Sequence, residues 1–275
     1  MICFRQIAPA PLIFSGKSPL IIGHRGASVA APENTLAAFA LALRDGADGL
    51  EFDVRLSRDG VPVVIHDATL KRTANRRERV ASMTMAELEH VDVGSWFNRR
   101  FRARARDEYS IERLPSLEKL FAAVNGNSAW LYLELKSDGM ANPNLVTRVA
   151  ELINSYRFRE RVIIESFTLE NLHIVKRIDR RLKTAALFEP RREPISLLRG
   201  SRLIKRALAV GADQIAFHHS AASQRTVSAA CETGLVVVVW TVDTPSWIRR
   251  ARRLGIKALI TNRPAEMLRA RDASD

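Results

Sequence analysis

The sequence predicts an α/β protein, a (β/α)8 TIM barrel with a rim insertion at about residues 67–115. Three observations carry that prediction. Short runs rich in Val, Ile and Leu alternate with longer helix-like stretches along most of the chain. The runs are almost continuously apolar, as strands covered by helices must be, and do not alternate apolar with polar. The chain has 275 residues, which suits one such barrel at its usual size of about 250 residues.

The expected strands are 19–23 (PLIIG), 49–55 (GLEFDVR), 61–66 (VPVVIH), 130–136 (WLYLELK) and 161–166 (RVIIES). They continue with 183–188 (KTAALF), 213–218 (DQIAFH), 235–242 (LVVVVWTV) and 256–261 (IKALIT). Helices are expected over 34–46, 116–125, 143–156, 168–180, 201–211, 222–233 and 245–255. Asn34, Ser116, Thr168 and Thr244 stand where caps belong, and Gly46, Gly211, Gly234 and Gly255 where helices end. These strands number one more than a barrel needs. The pair 49–55 and 61–66 is separated only by LSRDG, too short for a parallel crossover, so it reads as a hairpin-like excursion. A turn at Arg58–Gly60 would set residue 66 opposite residue 51. Residues 67–115 are rich in Arg and lack clear strands. On a barrel such a segment sits at the rim and shapes the mouth.

Composition bounds the class. Apolar residues make up 47% and charged residues 27%, the balance of a soluble globular chain. No apolar run approaches the ~18–20 residues needed to span a bilayer. Residues 1–18, interrupted by Pro9 and Pro11, read as a flexible lead-in to one domain over 19–270. The two cysteines, Cys3 and Cys231, make no disulfide framework, which points to a reducing compartment and a cytoplasmic location. The net charge is +13, gathered in NRRER (75–79), NRRFRARAR (98–106), KRIDRRLK (176–183) and RRARR (249–253). Such charge favours anionic partners, including weak association with an anionic membrane surface. Only Phe101 interleaves these runs, so nucleic-acid binding is not expected.

Chemistry concentrates at strand ends. Glu51 and Asp53 point the same way along one strand, as do Glu134 and Lys136 along another. Three acidic side chains from two strands converging at a barrel mouth make a site for a hard cation, Mg²⁺ or Ca²⁺. The alternative from spacing alone is that each carboxylate pairs with one of the many arginines. His24 and Arg25 reach over the end of the first strand, and His66 ends the excursion.

The run IIGHRGASVAAPENTLAAF, followed by GADGLEFDVRLSRDGVPVVIHDATLKRT, LPSLEKLF, LYLELK, IIESF and VVVVWTVD, resembles the glycerophosphodiester phosphodiesterase family of the phosphatidylinositol-phospholipase-C-like barrels. The resemblance spans about residues 20–265. It implies that Glu51, Asp53 and Glu134 ligate one divalent metal, Mg²⁺ or Ca²⁺, and that His24 and His66 form the acid/base pair. It further implies that Arg25 and Lys136 hold the non-bridging phosphate oxygens and that Phe167 and Trp240 shape the pocket for the alcohol or glycerol portion. The expected substrate is a small glycerophosphodiester, cleaved to sn-glycerol 3-phosphate and an alcohol. Attack by water and attack by the neighbouring 2-hydroxyl both remain open. A lysophospholipase D on the same scaffold would need an apolar slot, for which Trp96 and Phe97 stand available; their other reading is as anchors of the insertion. A non-catalytic binder of anionic lipid or nucleic acid is disfavoured because the expected polar residues are all present. The chain departs from the family at ITNRP, where Asn262 replaces an acid, and only a rim effect is expected there. His218 and His219 end another strand and are read as surface or pocket-lining groups.

Overall fold

The computed structural model describes residues 18–190 and 200–273. Among the described residues nine strands occur where nine are expected: β1 (Leu20–His24), β2 (Gly49–Leu56), β3 (Pro62–Val64), β4 (Trp130–Leu135), β5 (Val162–Ser166), β6 (Lys183–Phe188), β7 (Gln214–His218), β8 (Val236–Trp240) and β9 (Ala258–Thr261). All but β3 are parallel, in the order β1-β9-β8-β7-β6-β5-β4-β2, and pairing of β1 with β2 closes the barrel. Closure buries both faces of every stave, which is why the runs are apolar throughout. One set of side chains, including Ile22, Tyr132, Ile163, Ala216 and Val238, fills the barrel interior. The other set packs outward on the helices, for instance Leu50, Phe52, Leu133 and Val237.

The excess strand is the predicted excursion. β3 pairs antiparallel with the far end of β2, beyond the residues that β2 shares with β1. The register is one residue away from the expected one. A turn centred on Asp59 pairs Val54 with Val64, so Asp67, not His66, counts opposite Glu51. The antiparallel strand stops at Val64, followed by one more bond from Ile65 N–H to the Asp53 carbonyl at 2.9 Å.

Helices cover the outside: α1 (Leu36–Arg44), then three short ones in the insertion, α2 (Lys71–Ala74), α3 (Met85–Leu88) and α4 (Ser95–Arg100). They are followed by α5 (Leu117–Val124), α6 (Pro143–Ser155), α7 (Leu169–Ile178), α8 (Gly200–Ala209), α9 (Gln224–Glu232), α10 (Ser246–Leu254) and α11 (Pro264–Asp272). The last of these was not predicted; Pro264 at its first turn is the signal for it. Ser116 caps α5 as expected, by accepting from Lys119 N–H. The cap of α1 is Thr35 and not Asn34, and Thr244 is displaced by Pro245 as the residue before α10. The expected lead-in over residues 1–18 lies outside the described residues apart from Ser18. The insertion has a small core of its own around Val63, Leu70, Leu88 and Leu114.

The turn after β1 positions the site. Arg25 and Gly26 adopt φ of 56° and 82°, and a Cβ on Gly26 would lie 2.6 Å from the backbone of Ala38. Replacing Gly26 by Ala therefore combines a strained conformation with a backbone clash and is expected to cost about 3 kcal/mol in denaturant unfolding.

Candidate active site

Alternation along the staves sends Glu51 and Asp53 of β2, Glu134 of β4 and Glu165 of β5 into the barrel. Asp53 and Glu134 are register partners, as are Glu134 and Glu165. Glu51, Asp53 and Glu134 are 3%, 0% and 8% exposed, and each offers an oxygen within 4.8 Å of the others. The predicted convergence is present. So, in part, is the alternative: Lys136 Nζ lies 2.8 Å from Glu134 Oε1 and 3.1 Å from Asp53 Oδ1, while Arg25 Nε lies 3.2 Å from Asp53 Oδ2. The Asn34 amide donates to Asp53 Oδ2 at 2.9 Å, which is what this residue does in place of capping a helix.

The charges inside the wall do not balance. Burial pushes the Glu51 carboxyl well above its usual range, and the neighbouring Asp53 charge adds to that. Burial likewise raises Glu134 against the pull of Lys136, and raises Glu165 strongly with Glu134 beside it. Burial opposes ionisation of Asp53 too, but Lys136 and Arg25 hold it well below the carboxylate range. Asp53 Oδ1, completely buried, has the ion pair with Lys136 and no hydrogen bond. A hard divalent cation fits this donor set, three carboxylates in close reach with an oxygen that accepts no hydrogen bond, and its charge would replace protons held there.

His24 and His66 both line one cavity of about 270 Å³, together with Arg25, Glu51, Glu134, Lys136, Phe167 and Trp240; Asp53 lies behind them. Two imidazoles, two cations and the carboxylates thus meet at the carboxyl ends of the staves, the usual position of a barrel active site. The strained backbone at Arg25 brings its N–H to Glu51 Oε2 at 3.0 Å. Each ring is held by a different partner. His24 Nδ1 lies 2.7 Å from Asn262 Oδ1, and the Asn262 amide nitrogen donates to Asp243 Oδ2 at 2.8 Å. That donation turns the amide oxygen toward His24, so Nδ1 carries the proton and Nε2, 3.8 Å from Glu51, is left with its lone pair. Asn262 is therefore a direct hydrogen-bond partner of His24. Burial, then the Arg25 charge, lowers the His24 pKa to about 4.

His66 Nδ1 lies 2.6 Å from Asp67 Oδ1, and Arg72 Nε donates to Asp67 Oδ2 at 2.7 Å. Arg72 also donates to Glu33 at 2.8 Å, and Glu33 Oε1 accepts from Arg25 at 2.8 Å. Glu33, Asp67, Arg72 and Glu165 were not singled out from sequence. The first three stand inside PENT, HD and LKRT, and their linkage exists only once α2 folds over the mouth.

Phe167 and Trp240 meet edge to face with centroids 5.5 Å apart on the cavity wall. His218 packs against Trp240 at 5.2 Å and does not itself line the cavity. Phe97 is fully buried against Phe101 and Tyr109, and the Trp96 indole donates to Val93 O at 2.8 Å. Both aromatics anchor the insertion and neither lines the cavity.

The sequence profile of the glycerophosphoryl diester phosphodiesterase family matches residues 24–266. The chain belongs to that family. Among its relatives within the family, a glycerophosphodiester phosphodiesterase of Caldanaerobacter subterraneus subsp. tengcongensis is 32% identical over 249 residues, covering 90% of this chain and 96% of the relative. The crystal structure of a Silicibacter pomeroyi protein superposes with a TM-score of 0.82 at 30% identity, covering 94% of both chains. An Oleispira antarctica phosphodiesterase, solved in complex with the product sn-glycerol-3-phosphate, superposes with a TM-score of 0.79 at 26% identity, covering 93% of this chain and 97% of that one.

Two outcomes follow from the geometry. Mg²⁺ or Ca²⁺ at about a hundred times its Kd is expected to stabilise the fold by ~2.7 kcal/mol, read as a rise in thermal midpoint that Asp53→Asn removes. Asn262→Asp places a carboxylate beside Nδ1, which favours the imidazolium. The His24 pKa then rises from about 4, and its NMR titration moves to higher pH.

Proposed function

We propose that this chain hydrolyses glycerophosphodiesters to sn-glycerol 3-phosphate and an alcohol. The observation that carries the reading is the meeting of the buried acidic triad, two largely buried cations and two separately held imidazoles at one cavity, which all of them but Asp53 line. Arg25 and Lys136 take the non-bridging oxygens of the anionic diester and offset the charge that grows on them. His24 Nε2 accepts the proton of the attacking hydroxyl or water. His66, fixed through Nδ1 by Asp67, delivers a proton from Nε2 to the departing alkoxide. Glu51, Asp53 and Glu134 would hold one divalent ion, Mg²⁺ or Ca²⁺, which supplies Lewis-acid stabilisation of phosphate charge. Phe167 and Trp240 offer apolar faces to the carbon atoms of the bound ester.

Phe97 is buried, Trp96 is half-buried, and neither lines the cavity, which gives no support to a lysophospholipase D slot built from them. We place the enzyme in the cytoplasm on the strength of its sparse cysteines, of which Cys231 is free. Among the described residues no helix is long and apolar enough to cross a membrane. The exposed arginines 102, 104 and 106 of the insertion support weak association with anionic bilayers.

The test is a coupled assay for sn-glycerol 3-phosphate over a panel of glycerophosphodiesters and lysophosphatidylcholine, with and without chelator. Release from the glycerophosphodiesters that stops on chelation is expected. His24→Ala and His66→Ala should each lower turnover by on the order of 10²–10⁴-fold with the circular dichroism spectrum unchanged. Unaltered turnover in either variant would refute its assigned role.

A further inference from the structure

One carboxyl group on the cavity wall has no role in the chemistry above. Glu165 lies on β5, is 1% exposed and lines the cavity, yet it makes no hydrogen bond or ion pair with any described residue, and its Oε1 is enclosed without a partner. Leaving a buried polar atom unpaired costs on the order of 1–3 kcal/mol, so a native protein that keeps one usually has a ligand for it. The group of carboxylates in mutual reach consists of Glu51, Asp53 and Glu134 and does not include Glu165. A cation gripped by that triad therefore still leaves Glu165 unsatisfied.

The surroundings say what the ligand is. On one side the register partner is Glu134; on the other it is Ala185, which has no polar side chain to pair with the carboxyl group. Two residues further along the same face stands Phe167, edge to face with Trp240. A carboxyl group beside two aromatic rings suits a group with C–H surface and a hydroxyl, while Arg25 and Lys136 are the groups that draw the phosphoryl end. We propose that Glu165 binds a free hydroxyl of the glycerol moiety and makes the cavity selective for polyol phosphodiesters over simple alkyl ones. The proposal rests on the diesterase reading and deepens it, by naming the part of the substrate that faces β5.

The test compares binding of sn-glycerol 3-phosphate with that of n-propyl phosphate, the same chain length without hydroxyls, by titration calorimetry in wild type and Glu165→Leu. Wild type is expected to prefer sn-glycerol 3-phosphate by on the order of tenfold to a hundredfold. Glu165→Leu should bind the two alike while its affinity for Mg²⁺ or Ca²⁺ stays that of wild type. No preference in wild type, a preference that survives in the variant, or an equal loss of both phosphates together with weakened cation binding overturns the proposal. If Glu165→Leu does not fold, Glu165→Ala, which adds no bulk, carries the same comparison. Because binding is read without turnover, a wild type that fails in the coupled assay sinks the hydrolase reading and leaves this comparison intact.

Discussion

Four carboxyl groups point into the upper half of the barrel from β2, β4 and β5, and among the described residues two cationic side chains, Arg25 and Lys136, meet them there. These acidic residues are at most 8% exposed, so little water is in reach to offset their charge. Burying a charge is costly unless it is paired and hydrogen-bonded, and removing either partner of such a pair leaves an uncompensated charge. Much of the local architecture answers that constraint. The left-handed backbone of Arg25 and Asn34 delivers an N–H to Glu51 and an amide to Asp53. Lys136 spans two staves to touch both Asp53 and Glu134. What these contacts leave over is negative, and it is this remainder that suits the site to a divalent cation.

The two imidazoles are held in unlike ways, and the difference suits unlike tasks. A neutral amide oxygen holds His24, and burial beside Arg25 outweighs the pull of that bond and keeps the ring neutral. A carboxylate holds His66, itself braced by Arg72. Glu33 then ties Arg72 to Arg25, so the brace behind one ring and a cation facing the substrate share a single carboxylate. Movement of α2 would disturb both at once. The rim insertion is accordingly more than a wall around the mouth, because it contributes a structural member of the site.

The aromatic residues of the insertion show how packing settles a choice that composition leaves open. Trp96 and Phe97 sit in an arginine-rich run and read as an anchor, the favoured reading, or as a lipid slot. Phe97 packs beneath Phe101 and Tyr109, and the Tyr109 hydroxyl donates to Ala30 O at 3.0 Å, which fastens the insertion to the turn carrying the site. Arginine side chains lie over Phe101 in turn.

Strand positions, their parallel arrangement and the shared face of Glu51 and Asp53 were determined by the sequence, since apolar continuity and a two-residue period are local properties of the chain. The position of His24 at a strand end, and of His66 just beyond one, was readable for the same reason. The tertiary structure alone decided that Asn262 would hold His24 across 238 positions of sequence and that Arg72 would reach Glu33 from the insertion. It alone left Glu165, an unremarked letter in IIESF, buried beside Glu134 with no partner. Those facts depend on which staves become neighbours when the sheet closes, and closure is a property of all eight strands at once that no local stretch encodes.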